Sequence, residues 1–205
     1  MKHIVKDKNT PKFDRWMVEN VNCQPTYGGV QGETKKDLKN SLMKEQGYIC
    51  CYCERRLTND DSHIEHFTPQ SNPGVDGLDY TNMLCSCQDK LKQGEPRHCG
   101  NLKDNWFDGE LLVSPLDPEC ERRFIYTADG KIHPAIISDD AAITTIQRLG
   151  LNIPKLNALR EKAIEPFLDE MDEQELSRFV VGFLIRNSDG MFGEFWTTID
   201  YIFGE

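Results

Sequence analysis

Apolar residues recur at helical spacing in several separate stretches of the 205-residue chain. Phe13, Trp16 and Met17 share one helical face, and Pro25 with Gly28-Gly29 breaks the chain after them. Leu38, Leu42 and Met43 predict a helix over 33–47 that Gly47 caps. The helical period returns at Ser138-Asp139-Asp140, a capping sequence ahead of Ile143, Ile146 and Leu149, with Gly150 as the stop. A second helix is expected from Pro154, carrying Leu156, Leu159, Ala163, Ile164, Phe167 and Leu168. A third starts near Asp172 and carries Leu176, Phe179, Val180, Phe183 and Leu184. Gly190 and Gly193 punctuate a last aromatic segment, Phe192 to Phe203. Between the two helical regions, Leu111-Leu112-Val113 and Phe124-Ile125-Tyr126 are short apolar runs. Asp129-Gly130 reads as the centre of a hairpin turn.

Residues 48–107 follow neither period. They hold six of the eight cysteines and three of the five histidines. Metal bonds can replace a hydrophobic core in such a stretch. The expected class is α+β, in three segments: a helical extension (1–47), a metal-nucleated module (48–110), and a hairpin with a helical region (111–205). No run approaches the ~18 apolar residues of a membrane helix, and the N-terminal residues lack the apolar core of a secretory signal. The expected compartment is therefore the cytoplasm, where thiols serve as ligands or nucleophiles rather than disulfides.

Cys50-x-x-Cys53 has the spacing of a metal knuckle, in which a tight turn aims two sulfurs at one ion. Cys85, Cys87 and Cys99 can complete a tetrahedral site with structural Zn²⁺, and spacing alone does not choose between Cys85 and Cys87. Cys51, inside the knuckle, is expected to point away, and Cys23 and Cys120 read as ordinary thiols. Between the knuckle halves lies Ile64-Glu65-His66-Phe67-x-Pro69, followed by Asp79-Tyr80-x-Asn82. Glu65 offers the hard oxygen that Mg²⁺ or Mn²⁺ prefers. His66 offers a ring that is neutral near pH 7 and can accept a proton. His63 lies two residues before Glu65, hence on the same face of a strand, where it would serve phosphate or metal, or simply be solvated.

At these residues the chain resembles the HNH endonuclease family with its ββα-metal fold. The resemblance implies that His66 is the general base, Glu65 a ligand of the catalytic divalent ion, and Asn82 the residue orienting the base. It favours Cys87 over Cys85 as the zinc ligand beside Cys50, Cys53 and Cys99. Cys99-Gly100-Asn101-Leu102-Lys103 is similar to the start of the HNH helix, but Gly100 stands where the helix metal ligand belongs. Asn101 is the expected substitute, with His98 as competitor, and Lys103 is expected to meet substrate phosphate. Further segments, among them Ser114-Pro115-Leu116-Asp117-Pro118 and Leu149-Gly150-Leu151-Asn152, resemble one subfamily. That subfamily is the PtuB-like effectors of Septu and retron-linked anti-phage systems. It implies a nucleic-acid substrate, an ABC-type ATPase partner (PtuA-like), and a retron RNA/DNA complex as a further candidate partner.

The net charge of −10 argues against a protein that coats nucleic acid by bulk charge. The excess is uneven. Residues 1–110 hold 15 Lys+Arg and 17 Asp+Glu, and residues 111–205 hold 9 and 17. The acid thus lies mostly outside the metal-nucleated module, and an acidic helical half would suit a basic partner. The competing expectation is a zinc-stabilised module that binds nucleic acid or protein through an inactive HNH site, for which Gly100 is the motive. A thiol redox pair at Cys50 and Cys53 is a third, disfavoured by the order of the other cysteines.

Overall fold

The computed structural model describes residues 1–7 and 9–204. Helix α1 (Pro11–Asn20) packs on α2 (Gly32–Glu45). Pro11 occupies the first turn of α1, where its missing N–H costs no hydrogen bond. Helix α2 buries Leu38, Leu42 and Met43 as its sequence pattern implies. It also buries Glu45, whose carboxylate takes the Lys6 ammonium and the Tyr80 hydroxyl (2.8 Å).

Two small antiparallel sheets follow. Strand β1 (Ser62–His66) pairs with β2 (Met83–Cys87), with Glu65 opposite Leu84 and His63 opposite Ser86. The short helix α3 (Cys99–Lys103) packs on β2. Strand β3 (Phe124–Tyr126) pairs with β4 (Ile132–Pro134) across the turn that Asp129-Gly130 marks. Leu111–Val113, by contrast, lies in turns rather than in a strand: Leu112 and Val113 anchor that segment in the core without a pairing partner. The fold is thus α+β.

The remaining helices are α4 (Asp140–Arg148), α5 (Pro154–Ile164), α6 (Glu173–Leu184) and α7 (Trp196–Phe203). Asp139 caps α4 by accepting from the Ala142 N–H, and Asp172 with Glu175 forms a capping box on α6. Helix α5 stops at Ile164, before Phe167 and Leu168, and Pro166 lies in the short 3₁₀ turn that follows it.

One hydrophobic core joins all three sequence segments, drawing on Met1, Phe13, Leu38, Tyr52, Leu84, Cys120 and Leu156. A smaller cluster holds Ile164, Phe167, Val180 and Ile199 between α5, α6 and α7. The C-terminal aromatic segment is spent largely inside the molecule. Phe195 is buried and Phe203 stacks on Phe167 at 5.2 Å, while Tyr201 is half exposed. Among the described residues no helix is long and apolar enough to cross a membrane.

Gly130 shows how tightly the hairpin seats on α5. Its φ is +72°, and a Cβ there would run into the Asn157 carbonyl oxygen. Gly130→Ala should destabilise the fold by about 1–3 kcal/mol, from the left-handed backbone and the clash together. Urea denaturation monitored by circular dichroism checks this, and an unchanged midpoint would contradict the packing described.

Candidate functional site

Strand β1 organises the site through its two-residue period. Its face toward α3 presents His63 and Glu65, and its other face presents Ile64 and His66. The consecutive residues Glu65 and His66 therefore meet different neighbours.

Glu65 is buried. Its Oε1 accepts the Lys103 ammonium at 2.8 Å and the Tyr52 hydroxyl at 3.1 Å, and its Oε2 faces His63 Nε2 at 3.6 Å. Burial opposes ionisation of this carboxyl, but His63 and Lys103 outweigh it and hold the pKa below the usual carboxylate range. Lys103 is only 2% exposed and also donates to the His66 carbonyl at 3.2 Å. In this structure it faces inward, so the phosphate contact expected of it is replaced by an internal ion pair. Breaking such a pair from one side costs about 3–5 kcal/mol, because the other charge stays buried.

His66 sits at the end of β1. Its Nε2 donates to the Gly77 carbonyl at 2.9 Å, which leaves Nδ1 as the basic nitrogen, with the Gln70 amide donating to it at 3.3 Å. Tyr27 packs its ring edge-to-face on the imidazole, 4.7 Å between centroids. Burial pushes the His66 pKa down, which keeps the ring neutral and able to accept a proton at pH 7. Asn82 clamps the two ends of the 67–82 loop. Its Oδ1 accepts from Thr68 N–H and its Nδ2 donates to Thr68 C=O, both at 2.8 Å, while its own carbonyl takes Phe67 N–H at 2.9 Å.

The four sulfurs of Cys50, Cys53, Cys87 and Cys99 lie within 4.8 Å of one another, and all four residues are buried. Cys53 and Cys87 Sγ are 3.7 Å apart, and Cys87 N–H donates to Cys50 Sγ at 3.4 Å. Cys50 is driven well below the usual thiol pKa: burial opposes this, and donation from the surrounding thiols overcomes it. Burial pushes Cys99 well above the usual value. Four thiolates this close repel one another, and a divalent cation is what lets all of them stay ionised. The cluster therefore suits a metal such as zinc. Cys85, two residues earlier on β2, lies outside it, with its thiol pushed up to about 12 by burial. His98 places Nδ1 3.1 Å from Cys99 Sγ and 3.7 Å from Cys87 Sγ, as a partner of the sulfurs. Asn101 donates its amide to the Gln88 carbonyl at 3.0 Å, a contact that turns it toward the 88–98 loop.

Several residues at the site escaped the sequence reading. Tyr52, Gln70 and Gly77 act through contacts that only the fold creates. Lys35, Lys36 and Lys39 of α2 line, with Tyr27 and His63, a cleft of about 640 Å³ beside β1. Their i, i+1, i+4 spacing on one helix was the available signal.

No family model matches the chain. It is 32% identical over 138 residues to "Retron Vc95 putative HNH endonuclease" of Vibrio cholerae serotype O1 biovar El Tor, a match covering 64% of this chain and 65% of that protein. It is 28% identical over 210 residues to "Retron Ec83 putative HNH endonuclease" of Escherichia coli, covering 84% of this chain and 81% of that protein. The chain is thus similar to proteins named as putative HNH endonucleases of retrons. The match thus spans a little under two thirds of the Vibrio relative's length. The resemblance drawn from Glu65-His66 and the cysteine pairs agrees with both relatives' names.

The sulfur cluster makes a discriminating prediction. Cys87→Ala should lose bound zinc and unfold the module, whereas Cys85→Ala should keep stoichiometric zinc. Elemental analysis of the purified variants decides it, and zinc loss in Cys85→Ala would contradict the geometry.

Proposed function

We propose that the chain is a metal-dependent HNH endonuclease that hydrolyses phosphodiester bonds of nucleic acid. The observation that carries the reading is the pinned, neutral His66 beside a carboxylate, in a relative of proteins named for this activity. In this reading residues 48–110 are a ββα-metal nuclease module with structural Zn²⁺ on Cys50, Cys53, Cys87 and Cys99. Residues 1–47 extend it, and residues 111–205 carry a partner-docking surface.

Glu65 would hold Mg²⁺ or Mn²⁺, which when bound supplies charge stabilisation at the phosphoryl and leaving oxygens. His66 Nδ1 takes the proton of the attacking water, in the place that the Gln70 amide now fills. The new P–O bond forms as the bond to the leaving nucleotide oxygen breaks, and that oxygen departs as a hydroxyl after taking a proton from solvent. Gly77 fixes the tautomer and Asn82 fixes the loop, so the base is held in orientation before substrate arrives. Lys35 and Lys36 meet phosphates along the α2 cleft, positioning the strand without reading its sequence.

The partner in this reading is an ABC-type ATPase of an anti-phage system, Septu-like or retron-linked, acting in the cytoplasm. Phe179, Val181 and Ile185, exposed on or just after α6, support a docking role for the helical region. The second reading, an inactive binding module, draws on Gly100, which gives the helix no ligand at the family's usual position.

Two measurements separate these readings. His66→Ala should keep its zinc and fold, yet lower Mn²⁺-supported cleavage by about 10²–10⁴-fold, with the ATPase present if the chain alone is silent. Equal cleavage by wild type and variant would remove His66 from the mechanism. Replacing both Lys35 and Lys36 by Ala should weaken nucleic-acid binding for all sequences. The slope of log K against log salt should become shallower by about one per lost phosphate contact. An unchanged slope would place the phosphates elsewhere.

A further inference from the structure

The metal-dependent reading leaves the site one protein ligand short. Glu65 supplies an oxygen, but the helix that follows β2 supplies nothing at Gly100. Both substitutes that the sequence suggests are engaged elsewhere: Asn101 with the Gln88 carbonyl, His98 with the sulfur cluster. We infer that His63, from β1 itself, is the second protein ligand of the catalytic divalent ion.

Three observations carry this. First, the strand period puts His63 and Glu65 on the same face, toward α3. Second, the Glu65 oxygens have divided roles. Oε1 is taken by Lys103 and Tyr52, while among the described residues Oε2 faces His63 Nε2, at 3.6 Å. That separation is long for a direct hydrogen bond. One ion with bonds of about 2.1 Å to each atom spans it. Third, a Cβ on Gly100 would lie 2.5 Å from Glu65 Oε2 and 2.9 Å from His63 Nε2. The two donors therefore converge over the same bare backbone. A side chain at 100 would displace them, so the glycine that removes the helix ligand also makes room for the strand ligand.

The access side fits as well. His63 keeps 24% of its side chain exposed and lines the cleft with Lys35, Lys36 and Lys39. Waters and a phosphate oxygen arriving from that cleft can complete the coordination that a hard cation needs. The donor set, one imidazole and one carboxylate oxygen with open positions, is suited to Mn²⁺.

The inference rests on the metal-dependent reading, and the test separates the two. Zinc-loaded, full-length protein is titrated with Mn²⁺ and followed by EPR, without nucleic acid or turnover. Wild type should bind, and its pulsed EPR should show ¹⁴N modulation from a coordinated imidazole. His63→Gln should weaken Mn²⁺ by at least about tenfold and lose that modulation, with zinc content and circular dichroism unchanged. Glu65→Gln should weaken binding too. His63→Asp, which returns an oxygen donor, should recover part of the affinity and provides the measurement if His63→Gln folds poorly.

His63→Gln binding Mn²⁺ like wild type, or keeping its ¹⁴N modulation, overturns the inference. If Glu65→Gln still loses the ion in that case, the metal-dependent reading stands without His63. A wild-type protein that binds no Mn²⁺ overturns both. A histidine that merely contacts Glu65 would leave Mn²⁺ affinity unmoved or raise it on removal.

Discussion

The four-sulfur cluster is the constraint on which the site depends. It gathers the 50–53 knuckle, the end of β2 and the start of α3 at one point. The segments between these cysteines have little apolar periodicity, and the sheet beside them has only two strands. A sheet that small is marginal alone. A metal held by four thiolates can contribute on the order of 10 kcal/mol, enough to fix what packing cannot. With β2 and α3 held there, Gly100 faces β1 and Lys103 reaches Glu65. The two proposed centres, one structural and one catalytic, are thus neighbours: Gly100 adjoins Cys99, and His63 pairs opposite Ser86, next to Cys87.

The Glu65–Lys103 pair illustrates how this arrangement constrains chemistry. Burying one carboxylate is costly, and Lys103 offsets that cost through a single oxygen. The second oxygen is left facing His63 over Gly100. A helix lysine therefore sets which lone pairs remain available for a cation. This is a different task from gripping substrate, and it explains why a lysine close to the chemistry is only 2% exposed.

Much of the molecule was legible in the sequence because its signals are local. The α2 stripe, the Asp129-Gly130 turn and the Asp139 cap depend on neighbours a few residues away. So does the choice of β1 as a strand whose alternation separates Glu65 from His66. Cys87 was reached through family resemblance, since Cys85 and Cys87 lie two residues apart on the same face of β2. What separates them is position along the strand: Cys87 ends it, where the other three cysteines gather. What stayed hidden depends on contacts across long separations. The Asn101 amide turns to a loop carbonyl, and Lys103 finds a partner 38 positions earlier in the chain. Leu111-Leu112-Val113 is a short apolar run by composition, yet it joins neither sheet and serves to bury Leu112 and Val113 in the core.

Residue 54 follows the knuckle directly, and its role extends well beyond it. The Glu54 carboxylate takes the Thr197 N–H at 2.8 Å and the Thr197 hydroxyl at 2.5 Å, and its backbone carbonyl takes Phe195 N–H at 3.1 Å. Helix α7 is thereby tethered one peptide away from Cys53 of the sulfur cluster. The end of the chain and the sulfur cluster are thus joined through one residue, so the seating of α7 and the geometry of the 50–53 knuckle share a single anchor.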